Sequence, residues 1–134
     1  MIYLLDTNVV SALRRPDRAP QLLRWLAAKP EEALYISVIT LGEIERGIAR
    51  QKSLNPAFAA DLRGWLGRIE EQFADRFLPF GAEDARIWGS LIEKIGHFTA
   101  DLLIAATALA RDATVVTGDN GFAATGVKLE NPFD

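Results

Sequence analysis

Short apolar runs, each followed by a carboxylate and separated by helical patterns, restrict this chain to an α/β design. Asp6 ends the run Ile2-Tyr3-Leu4-Leu5, and Glu43 stands early in a helix that follows Ile36-Ser37-Val38-Ile39. Asp101 opens the helix Leu102-Leu103-Ile104-Ala105-Ala106, and Asp119 follows Thr114-Val115-Val116-Thr117. If the strands are parallel, these four acids fall outside their carboxyl ends, where open α/β sheets bind ligands. Acids gathered there repel one another and call for a cation. With no cysteine and a single histidine in the chain, oxygen donors favour Mg²⁺ or Mn²⁺ over zinc or copper.

Strands are predicted at 2–5, 34–37 and 77–80, then at Val115-Val116 and Val127-Lys128-Leu129. Between them, Val9 to Arg15 and Gln21 to Ala28 read as short helices. Thr40 is a candidate N-cap for a helix through Lys52, with Glu43 completing a capping box. Asn55-Pro56 starts a longer helix reaching Ala74, and Ala82 to Ile95 forms one that ends at Gly96, a good left-handed C-cap. The helix Asp101 to Arg111 is apolar nearly all round and should be buried. Alternating strands and helices imply one three-layer domain over 1–134 with a mostly parallel sheet. The 134 residues, 49% of them hydrophobic, suffice for its core.

The absence of cysteine excludes disulfides and thiolate metal sites. A formal net charge of −3 argues against a protein that coats nucleic acid through a broad positive field. Local basic groups exist: Arg14, Arg15 and Arg18 cluster after the first acid, and Arg46 and Arg50 lie a turn apart on the Glu43 helix. No apolar run approaches the roughly 20 residues that cross a bilayer. The N-terminal segment lacks the pattern of an export leader, so the expected location is the cytoplasm.

Each acid also has an ordinary structural role. Asp6 suits an N-cap, Asp101 a favourable first-turn position, and Asp119 the turn Asp119-Asn120-Gly121. Glu43 suits an ion pair with Arg46, and periodicity alone does not prefer it over Glu45. Four such roles coinciding at one sheet edge is poorly explained by four independent accidents. A divalent ion held there takes few protein carboxylates and completes its shell with water and substrate phosphate oxygens, which favours phosphodiester chemistry.

The motifs resemble those of the PIN-domain ribonucleases, and more closely the VapC-type toxins. Leu4-Leu5-Asp6-Thr7-Asn8-Val9 is similar to the family's opening motif, and Ile36 to Ile44 to its second. Asp101 to Ala108 resembles the third, and Thr117-Gly118-Asp119 with Phe122, Gly126-Val127 and Asn131-Pro132-Phe133 the ending. The resemblance implies a five-stranded parallel sheet and a Mg²⁺- or Mn²⁺-dependent endoribonuclease with Asp6, Glu43, Asp101 and Asp119 as metal-binding catalytic residues. It further implies a homodimer and the toxin role in a type II toxin–antitoxin pair. By the same resemblance, a small antitoxin is expected to insert into an apolar groove, with promoter DNA bound only through the complex. Candidate groove faces bear Leu22, Trp25 and Leu26, or Leu62, Trp65 and Ile69. Two departures stand out: the segment Gly96 to Ala100 is short, and Gly118 occupies a place where the family often has arginine.

Two other readings compete. One is a subunit that mainly binds antitoxin and, with it, promoter DNA, with weak nuclease activity. The other is an aspartate-dependent phosphotransferase, which needs a second acid two residues after Asp6, where this chain has Asn8.

Overall fold

The computed structural model describes residues 1–134. Its sheet contains β1 (Tyr3–Leu5), β2 (Leu34–Ser37), β3 (Phe77–Leu78), β4 (Thr114–Val116) and β5 (Lys128–Glu130), in the order β3-β2-β1-β4-β5. Every neighbouring pair is parallel, and Leu4 lies level with Tyr35 on one side and Val115 on the other. The chain builds β2 and β3 beside β1, then crosses to add β4 and β5 on the opposite edge. Strand order therefore reverses between β1 and β4, leaving a crevice beyond their carboxyl ends.

Alternation along β1 and β4 sends side chains into two separate cores. Leu5 and Val116 join Val9, Val10, Leu22, Ile44, Ile48, Leu66 and Ile69. These come from α1 (Thr7–Ala12), α2 (Pro20–Ala27), α3 (Val38–Leu54) and α4 (Pro56–Gln72). Leu4 and Val115 face the other way, against Leu91 of α5 (Ala82–Ile95) and Ile104, Ala105, Ala106 and Ala108 of α6 (Ala100–Ala110). Covered on both faces, the strands are apolar without alternation, as all-parallel sheets require. As its composition predicts, α6 is buried from Leu102 to Ala108 except at Leu103. Gly96 ends α5 at φ 89°, the left-handed cap predicted for it.

Several boundaries differ from the sequence expectation. Thr40 is not an N-cap, and Glu43 is not its capping-box partner. Ser37 caps α3 instead: its hydroxyl accepts a hydrogen bond from the Ile39 amide at 3.0 Å. Val38 and Ile39 look strand-like in sequence, but the serine at the end of β2 satisfies an otherwise orphaned amide and starts the helix there. α1 begins at Thr7 rather than Val9, because Asp6 caps it, and ends at Ala12. α4 stops at Gln72 rather than Ala74. β3 stops at Leu78, since Pro79 has no amide to donate to a ladder. β5 is shifted by one residue, to Lys128–Glu130.

The glycine-containing loop after β4 also differs from expectation. Residues Asn120–Thr125 form a 3₁₀ helix that drives Phe122, 0% exposed, into the second core. Replacing Phe122 with alanine should lower unfolding free energy by about 3–5 kcal/mol, as for other buried aromatic deletions. Urea denaturation checks this, and a loss below about 1 kcal/mol would mean that the ring is not an anchor.

Candidate active site

Each predicted acid arrives on a different element, and the four come together at the β1–β4 crevice. Asp6 follows β1 directly and is only 2% exposed. Its Oδ1 accepts from the Thr7 amide at 2.7 Å and its Oδ2 from the Thr117 hydroxyl at 2.8 Å. The helix-cap role and membership of the cluster are both real, because the cap engages one oxygen and the far side of the crevice the other. Thr117, buried just after β4, also accepts from the Asp119 amide at 2.9 Å. One hydroxyl thus ties two of the acids to a common frame.

Glu43 reaches the same place from the second turn of α3. The Thr7 hydroxyl donates to its Oε1 at 2.5 Å. A carboxylate only accepts, so the Thr7 proton is committed to Glu43, and Thr40, 2.9 Å away, donates to Thr7 in turn. Glu45, which periodicity does not separate from Glu43, points elsewhere and forms a forked ion pair with Arg63. Asp101 stands in the first turn of α6, and Asp119, exposed at the rim, accepts from the Gly121 amide at 2.9 Å.

The electrostatics show the acids sharing one field. Burial, then the charges of Asp6, Asp119 and Glu43, and a hydrogen bond with Asp119 push the Asp101 carboxyl up to about 6. Asp6 is also raised, first by burial. The Thr117 and Thr7 hydrogen bonds oppose that shift, while Glu43 and Asp119 add to it. By contrast Asp84, buried on α5, is pushed up by burial but held below its usual range by Arg111 and the Gly81 amide. It is a structural clamp, not part of the crevice cluster.

Several neighbours carry no obvious sequence signal. Thr117 reads as an ordinary strand residue, Thr40 as a cap, and Gly121 as a turn residue. A Cβ at Gly121 would lie 2.7 Å from Asp101 Oδ2 and 3.4 Å from Asp119 Oδ1, so both carboxylates lie against a bare backbone. The all-oxygen donor set and its raised carboxyls suit a hard cation, which would relieve the repulsion. No three of the acids already form a coordination set for one ion. A hard cation such as Mg²⁺ or Mn²⁺, which takes few protein carboxylates and completes its shell with water, would be compatible with such a set.

The PIN-domain family model matches residues 3–128. The chain belongs to the PIN-domain family. It is similar to the VapC ribonuclease Y4jK of Sinorhizobium fredii, 36% identical over 99% of each chain. Toxin FitB of Neisseria gonorrhoeae is 36% identical over 98% of this chain and 99% of its own. The crystal structure of FitAcB from that organism matches with a TM-score of 0.83 and 37% identity, covering 98% of each chain. VapBC2 from Rickettsia felis, bound to a DNA fragment from their promoter, matches with a TM-score of 0.74 and 28% identity over 98% of each.

Two features of this PIN domain bear on the family expectations. Where arginine is frequent, a Cβ on Gly118 would come within 2.9 Å of the Phe133 ring, so a longer side chain requires that ring to move. The two predicted apolar faces border one groove of about 440 Å³, lined by Leu13, Pro16, Leu23, Leu26, Trp65 and Ile69 among others. Leu22, Trp25 and Leu62 do not line it: Leu22 is 1% exposed in the core, Trp25 stacks edge-on against Tyr3 and donates to Glu130, and Leu62 packs against the first core.

The raised Asp101 carboxyl sets a pH dependence. Its folded pKa lies above the unfolded value, so the folded state binds more protons between about 4 and 6. In chelator-containing buffer, stability should fall as pH rises through that window. Asp101→Asn should flatten the fall. Denaturant melts across the window check this, and identical slopes for both proteins would contradict it.

Proposed function

We propose that this PIN domain is a Mg²⁺- or Mn²⁺-dependent endoribonuclease, the toxin of a type II toxin–antitoxin pair. The observation that carries this proposal is the convergence of Asp6, Glu43, Asp101 and Asp119 on one crevice, with Asp101 raised to about 6 by burial and by the other three. The relatives named as ribonuclease and toxin support it.

When bound, a divalent cation lowers the pKa of a water and offsets charge on the scissile phosphate. The chain's own residues supply the setting. Asp6 is fixed through both oxygens, so its place is set before any ligand arrives. Glu43 is held by Thr7, and Asp119 by the Gly121 amide, at a rim open to solvent. Asp101, whose carboxyl is raised to about 6, is the acid best placed to exchange protons there, and it would be ionised when holding a cation. Exposed Arg15, Arg18, Arg46 and Arg50 follow or share the elements that position Asp6 and Glu43, and can attract RNA phosphates. The fixed oxygens of Asp6 speak against its use as the nucleophile of a phosphotransferase.

The partners follow the same proposal. A small antitoxin occupies the apolar groove, the complex reaches promoter DNA through that antitoxin, and the toxin works as a homodimer in the cytoplasm. No helix of the chain is long and apolar enough to cross a membrane.

Asp6→Asn and Asp101→Asn should each lower Mg²⁺-dependent RNA cleavage by more than ~100-fold with circular dichroism unchanged, since even outer-shell losses cost about 10–100-fold. Full cleavage by either purified variant would overturn the assignment. For the groove, Leu23, 42% exposed on its rim, is the probe. Leu23→Asp should weaken co-purification with a short DNA-binding protein encoded beside this chain roughly tenfold, by forcing an unpaired charge into an apolar contact. RNA cleavage should be unaffected. Undiminished co-purification would remove the groove as the docking site.

A further inference from the structure

We infer that Gly121 is a positioning residue of the active site: only a residue without a side chain at 121 lets the Asp101 carboxylate stand beside that of Asp119. The inference rests on the metal-dependent reading of the four acids and names a fifth position on which their arrangement depends.

Three observations carry it. A Cβ at Gly121 would sit 2.7 Å from Asp101 Oδ2, closer than real Cβ contacts allow, and 3.4 and 3.5 Å from the two Asp119 oxygens. The backbone at 121 is drawn against Asp119 by its own amide, which donates to Oδ1 at 2.9 Å. Nor is it free to retreat, because the adjacent Phe122 is 0% exposed in the second core and anchors the 3₁₀ helix Asn120–Thr125.

The requirement for glycine here is not conformational. Positive φ glycines are confined to Gly96 and Gly126, so position 121 has a backbone that alanine adopts without strain. The obstruction is the far end of the Asp101 side chain, not main chain. A methyl group is therefore accommodated by swinging Asp101 aside. The effect falls on the site's geometry, while the fold keeps its cores. Displacement of about 1 Å at a reacting group is enough to cost about a hundredfold in rate. Gly89 on α5, with nothing within 4 Å of its would-be Cβ, lacks this constraint and is the matched control.

The test compares wild type, Gly121→Ala and Gly89→Ala. Crystal structures should show the Asp101 carboxylate of Gly121→Ala displaced by about 1 Å or more. Calorimetric titration of the RNA-free proteins with MnCl₂ should show at least about tenfold weaker binding for Gly121→Ala. Its RNA cleavage should need more Mg²⁺ and run about a hundredfold slower, with Tm within a few degrees of wild type, while Gly89→Ala matches wild type in Asp101 position, Mn²⁺ affinity and cleavage and gains slightly in Tm from its better helix propensity. An unmoved Asp101, or unchanged Mn²⁺ affinity and cleavage, would overturn the inference. If Gly121→Ala proves too unstable to study, adding Asp101→Ala should restore Tm, and failure to restore it would overturn the inference equally. Wild-type protein that binds no Mn²⁺ would sink the metal reading, and the crystal structures would still decide the role of Gly121.

Discussion

The parallel pairing of β1 with β4 is the contact on which the rest depends. It continues past the strands themselves: the Asp6 amide donates to the Val116 carbonyl at 3.0 Å, and the Asp6 carboxylate receives the Thr117 hydroxyl at 2.8 Å. Residues 111 positions apart in the chain become neighbours in a single ladder. Because strand order reverses at this pair, helices leave the two strands in different directions and the crevice between them stays open. Asp101 and Glu43 then enter from α6 and α3, helices whose buried faces are fixed by the two cores.

That arrangement stores unfavourable electrostatics. Asp101 and Asp6 are both harder to ionise than free aspartate, chiefly because they are buried, then for Asp101 because of the charges of Asp6, Asp119 and Glu43, and for Asp6 because of Glu43 and Asp119. At Asp6 the Thr117 hydroxyl and the Thr7 amide offset part of this without adding positive charge. The fold elsewhere neutralises buried charge directly, as Asp84 with Arg111 shows. Active sites characteristically retain such tension, and the surrounding packing over-determines it. Here the packing is supplied by the two apolar layers and by Phe122, which fixes the loop that carries Asp119.

Much of this was legible in the sequence, and the parts that were not share a cause. The strands, the buried helix α6, the Gly96 cap and the four acids follow from apolar runs, periodicity and the residues that punctuate them. Ser37 as the cap of α3 was hidden because Val38 and Ile39 continue the β-like pattern past it. Thr117, Thr40 and Gly121 were hidden for a stronger reason: each acts through a partner distant in sequence, which for Gly121 is reached through a 3₁₀ helix that turn residues alone do not specify. Thr40 serves Thr7 across 33 positions, and Gly121 serves Asp101 only because a 3₁₀ helix brings its backbone close. The choice of Glu43 over Glu45 likewise depends on Thr7 and Arg63, which claim one acid each.

The claim that a cation completes this cluster is tested most directly by thermal melts of the RNA-free protein at pH 7 in increasing MgCl₂, against NaCl at matched ionic strength. An ion that binds the folded state alone raises stability by RT ln(1 + [L]/Kd). Tm should climb steadily with Mg²⁺, well beyond the NaCl control, and the rise should vanish in Asp6→Asn. A Tm that follows ionic strength alone, or rises equally in that variant, would contradict a cation site built from these four acids.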